Sequence, residues 1–141
     1  MIRWLSSALS LLLVTLVSVQ ALACPPDVAK ASLAKARAGV VAMLDADASK
    51  YGALETEIAE ASTVVDAALI TALADAATTP DQAKLYAELK TTWTQFKQTR
   101  DAELIPLLKA GKKDDAKALA TGVQAERFKK MNELLTTLGA K

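Results

Sequence analysis

The chain has 141 residues, with 17 Lys+Arg against 16 Asp+Glu, one Cys and no His. Without imidazole there is no His general base and no His-ligated zinc or haem, and a single Cys leaves no internal disulfide, CxxC pair or thiolate cluster. A net charge of +1 gives no support for a nucleic-acid binder, and the length suits one domain whose 52% hydrophobic residues are ample for a core.

The first element lies ahead of any fold. Met1-Ile2-Arg3 precedes an uncharged, mostly apolar run from Trp4 that ends in Ala21-Leu22-Ala23. A basic start, an apolar run and an A-x-A site predict a signal peptide over residues 1–23, cleaved between Ala23 and Cys24, and a periplasmic domain over residues 24–141. A run of this length can also span a bilayer, but Pro25 and Pro26 interrupt any helix continuing from it. Cys24 stands where a lipoprotein carries its acylated Cys. Ala21 and Leu22, however, depart from the usual Leu three residues before that Cys and small residue two before it. Membrane contact is therefore expected only if Cys24 is lipidated or the N-terminal segment is retained.

Beyond residue 27 no period-2 alternation is sustained, while Ala, Leu, Lys, Glu and Gln dominate with apolar spacings of three and four, which predicts helix throughout. One stripe runs through Leu33, Arg37, Val40, Leu44, Ala48, Tyr51, Leu54, Ile58, Ala61, Val65, Ala68 and Ala72. Read as one helix it gives a rod of about 75 Å that outruns the later helices, each about 40 Å long. A break within Asp45 to Gly52 instead gives helices at about 27–46 and 51–77, the reading favoured here. Thr79-Pro80-Asp81-Gln82 has the residues of a capping box with Pro at the first helical position. The helix it opens presents Leu85, Leu89, Trp93, Phe96, Arg100 and Leu104, is expected to kink near Pro106, and stops at Gly111. A last helix, about Lys113 to Leu138, carries Leu119, Val123, Phe128, Met131, Leu134 or Leu135, and Leu138. The fold class is thus all-α, an up-down-up-down four-helix bundle.

Charge is unevenly divided. Residues 24–80 carry 4 basic and 8 acidic side chains, net −4, and residues 81–141 carry 12 and 8, net +4. Opposed halves of this kind favour an acidic hairpin packed on a basic one.

Chemistry is harder to find. A di-iron site needs Glu-x-x-His, Met–His haem needs His, and phosphate-loop fingerprints are absent from the five scattered glycines. No cofactor, metal or enzymatic activity is therefore expected, and Glu57 and Glu60 read as a solvated pair. After cleavage three arginines remain, Arg37, Arg100 and Arg127, each in or beside an apolar stripe. They are the candidate ligand-binding residues, since guanidinium can clamp a small carboxylate in bidentate geometry. Alternatively they reach the bundle edge and pair with acidic residues. Trp93 and Phe96 read as core anchors rather than a ligand cage.

The pattern Tyr86-x-x-Leu89-x-x-x-Trp93-x-x-Phe96-x-x-x-Arg100, then Leu107-Leu108-x-Ala110-Gly111-Lys112-x-x-x-Ala116-x-x-Leu119, then Phe128-x-x-Met131-x-x-Leu134 and Leu138, resembles the four-helix-bundle sensor domain of bacterial methyl-accepting chemotaxis receptors. It matches the third and fourth helices of that family, including the Ala-Gly turn, whereas Lys112 takes a place often acidic there. The resemblance implies an extracytoplasmic bundle that binds amino or organic acids and dimerises through its first helix. The chain shows no second membrane span, linker or cytoplasmic signalling hairpin, so it is not expected to signal by itself. The expected partners are a small carboxylate, another protein or a second copy, with no nucleic acid. The alternative function is a structural module that dimerises or docks another helical protein through an exposed half of the Leu33–Ala72 stripe.

Overall fold

The computed structural model describes residues 24–140, so the expected signal peptide lies outside the described residues and Cys24 is the first of them. Helix α1 (Pro25–Asp45) opens with Pro in its first turn beside Asp27, whose charge suits the helix N-terminus. It stops at Ala46, where the backbone turns extended, and a single 3-10 turn, Ala48–Lys50, leads into α2 (Tyr51–Ala74). The break falls within the predicted window, so the stripe is carried by two helices, the second of which ends at Ala74, short of the expected 77.

Helix α3 (Pro80–Thr99) begins with the complete capping box. The Thr79 hydroxyl accepts from the Gln82 amide at 3.2 Å, and the Gln82 side chain accepts from the Thr79 amide at 3.0 Å. Ahead of Pro106, where a kink is expected, the helix widens into a π-helical turn over Arg100–Leu104 in which the Ile105 amide donates to the Arg100 carbonyl. Helix α4 (Ile105–Lys109) continues the rod with Pro106 as its second residue, where a regular helix would use the N–H that proline lacks. Gly111, at φ +74°, ends it, with the Lys112 amide reaching back to the Leu107 carbonyl at 2.9 Å.

The predicted last helix is two, α5 (Lys113–Thr121) and α6 (Val123–Thr137), separated at Gly122. A Cβ at Gly122 would come within 2.9 Å of the Ala118 carbonyl oxygen. The break shifts the phase of the stripe. Gln124, 2% exposed, takes the inward place expected of Val123, which is 37% exposed.

Helix α1 packs beside α2 and α6, and α3 beside α2 and α6, closing an up-down-up-down bundle of four rods. The Leu33–Ala72 stripe has no free half to dock a partner. Leu33, Val40, Tyr51, Ile58, Ala61, Val65, Ala68 and Ala72 are buried, while Ala48 is exposed at the break that folds the stripe into a hairpin. Trp93 and Phe96, 1% exposed each and stacked with centroids 5.7 Å apart, anchor α3 in the core. Among the described residues no helix is long and apolar enough to cross a membrane.

Candidate functional site

The start of α1, the α2–α3 turn and the end of α6 meet at one end of the bundle. The α1–α2 connection and the α4–α5 turn lie at the other, where the Lys113 ammonium donates to the Ala46 carbonyl at 3.1 Å and caps α1. Near this far end, α1 and α5 diverge around a groove of about 480 Å³ lined by Arg37, Leu44, Asp45, Lys113, Asp114 and Lys117, with Val41, Ala120 and Thr121 completing the wall. Its size falls within the range of small-molecule pockets. Three cationic and two anionic side chains share it, so it offers positive charge for a carboxylate and a smaller negative complement for an ammonium.

Arg37 is half-buried, and its guanidinium lies 4.5 Å from the centroid of the Phe128 ring on α6. The ring attracts the guanidinium through a cation–π contact, which uses none of its hydrogen-bond donors. Helical spacing explains the opposite wall, since Lys113 and Lys117 are one turn apart on α5 and Thr121 is one turn further.

The other two predicted arginines are elsewhere and occupied. Arg100 is 4% exposed, donating from Nε and one terminal nitrogen to the two oxygens of Asp101 at 2.7 and 3.0 Å, and from the other terminal nitrogen to the Ser62 hydroxyl at 2.9 Å. Arg127 donates to the Thr99 hydroxyl at 2.7 Å and to the Gln95 carbonyl at 3.2 Å. Beside it the Gln124 amide donates to the Phe96 carbonyl at 2.9 Å. Arg100 is thus buried in a polar layer and Arg127 borders it, and Arg37 alone of the three lines the groove. Sequence reasoning missed Asp45, Lys113 and Lys117 as its companions. The only signal they gave was acidic and basic side chains flanking predicted helix ends.

A smaller hollow of about 270 Å³ sits at the end where the chain termini meet, among Cys24, Pro25, Asp75, Gln82, Tyr86 and Leu138. Burial, followed by the nearby Cys24 and Asp75, pushes the Tyr86 phenol above its ordinary value and keeps it neutral. Glu57 and Glu60 are exposed. Among the described residues no group of three His, Cys, Asp or Glu side chains is placed to hold a metal ion.

A family model described as a four helix bundle sensory module for signal transduction matches residues 27–140, all of the described chain but its first three residues. No curated protein and no solved structure matches the chain.

Proposed function

We propose, since the chain belongs to the family of four-helix-bundle sensory modules for signal transduction, that it is an exported, periplasmic sensing module that binds a small carboxylate in the groove between α1 and α5. Membership makes it a sensor-like signal-transduction domain. Arg37 carries the carboxylate reading. It lies over Phe128 beside a groove whose other wall supplies Lys113 and Lys117. A carboxylate seated on Arg37 has Lys117 across the groove, and an amino acid would in addition set its ammonium towards Asp45 or Asp114. No step requires a nucleophile, metal or cofactor, so the module acts by binding rather than by catalysis.

Isothermal titration of the purified protein against amino and organic acids tests this. At least one is expected to bind, with Arg37→Ala weakening it about tenfold or more, as the loss of a charge-assisted pair implies, and Arg127→Ala leaving it unchanged. A panel without a binder, or a binder indifferent to Arg37→Ala, overturns the reading.

A further inference from the structure

The buried apolar side chains do not form one core. Leu33, Val65, Trp93, Phe96, Met131 and Leu135 belong to a cluster in the half that carries the chain ends. Val40, Met43, Tyr51, Ile58, Leu104 and Leu108 belong to a second, in the far half. At the level between them four buried polar residues gather: Ser62 on α2, Thr99 at the end of α3, Arg100 just after it, and Gln124 on α6. At this level two rods also lose their α-helical regularity, the third through the π-helical turn Arg100–Leu104 and the fourth at Gly122.

We propose that the bundle is jointed at this polar layer, so that the far half moves as a unit against the half that carries the chain ends. Close-packed apolar clusters resist internal rearrangement, because any shift opens voids or forces overlaps. A buried polar layer adds less net stability than apolar packing of the same extent, because its hydrogen bonds only replace those made to water. Each half therefore holds together through its own cluster, and the layer is the weakest cross-section. The π-helical turn and the Gly122 break supply backbone that bends without melting a helix. The first two rods cross the layer as continuous helices, so in the folded state the motion is a small tilt, while its larger excursions open the far half as one cooperative unit.

The joint gives the groove a way to act. Arg37 rests on Phe128 of α6, in the half with the chain ends, whereas Lys113 and Lys117 stand on α5, beyond the Gly122 break. An occupant joined to both sides spans the joint and fixes its angle. This last clause rests on the carboxylate reading above; the joint does not.

Amide hydrogen exchange of the purified, ligand-free protein tests the joint. Protected amides within 40–58 and 104–121 are expected to open together, about tenfold or more faster than those within 61–72, 86–96 and 131–138. Replacing the layer by apolar side chains, Arg100→Met with Gln124→Met, should weld the clusters and bring the two sets within about threefold of each other. Ser62→Ala, which takes an acceptor from Arg100 and keeps the helix, should speed the far set and leave the other unchanged. Two sets that open at one rate in the unaltered protein, or a Ser62→Ala variant that speeds both equally, overturn the proposal. No ligand enters these measurements, so their failure is distinct from that of the titration.

Discussion

A guanidinium taken out of water must find its compensation inside the protein. At Arg100 the task falls to Ser62 and, above all, to Asp101, whose carboxylate meets the guanidinium edge-on through two hydrogen bonds while its own side chain stays 56% exposed. Substitutions of exposed residues ordinarily change stability by about 0.5 kcal/mol or less. Asp101→Ala should cost more, about 1–3 kcal/mol, because it strands a charge that is 95% buried on the other side of the pair. Urea unfolding measures the cost, and adding Arg100→Met should recover most of it, since the stranded charge is then gone. A deficit of only a few tenths for Asp101→Ala would show that Arg100 reaches water instead. Spacing in the sequence places Arg100 in the apolar stripe between Phe96 and Leu104. Its partner is not legible there, because adjacent residues on a regular helix point apart and this pair forms where the helix widens.

At the scale of elements, local chemistry marked what local chemistry decides. The Thr79 capping box, the Gly111 stop and the break before Tyr51 each depend on a few neighbouring residues, and each stands where those residues predict it. The π-helical turn and the division of the last rod at Gly122 depend instead on how rods settle against one another, which periodicity does not report. Two glycines separate local propensity from packing. Both Gly39 and Gly52 lie within helices, where Ala is better by about 1 kcal/mol. A Cβ on Gly52 meets nothing within 4 Å, so Gly52→Ala should stabilise by about 0.5–1 kcal/mol. A Cβ on Gly39 would stand 2.6 Å from Cγ1 of Ile58, itself 2% exposed and unable to step aside. Gly39→Ala should therefore destabilise by about 1–3 kcal/mol despite its better propensity. Urea midpoints at unchanged slope check both, and a gain at Gly39 would mean that α1 and α2 can separate slightly without loss.

At the scale of the whole molecule, the opposed charges of the two halves of the chain were legible, and among the described residues they meet where Lys97 on α3 pairs with Asp66 on α2 at 2.7 Å and Lys109 on α4 with Glu55 on α2 at 2.9 Å. The groove was not legible, because it exists only once α1 and α5, distant in sequence, stand side by side. Of the two contacts Asp66 carries more, since the indole nitrogen of Trp93, a residue 1% exposed, donates to the same carboxylate at 2.8 Å. Its effect has two separable parts. Asp66→Ala removes the acceptor of a buried indole together with the ion pair and should cost about 1–3 kcal/mol. Asp66→Asn keeps an acceptor and loses only the charge; with the pair part-exposed, 26% for Lys97 and 43% for Asp66, that loss should stay at or below about 1 kcal/mol. Added salt separates the parts further. At about 1 M, where charges are screened within roughly 3 Å, the Asn deficit should shrink towards zero while most of the Ala deficit persists, because a hydrogen bond to a buried donor is not screened away. Urea unfolding of the three proteins at low and high salt reads both parts. Equal deficits for Ala and Asn would show that charge between the halves, rather than the anchoring of Trp93, is what Asp66 contributes.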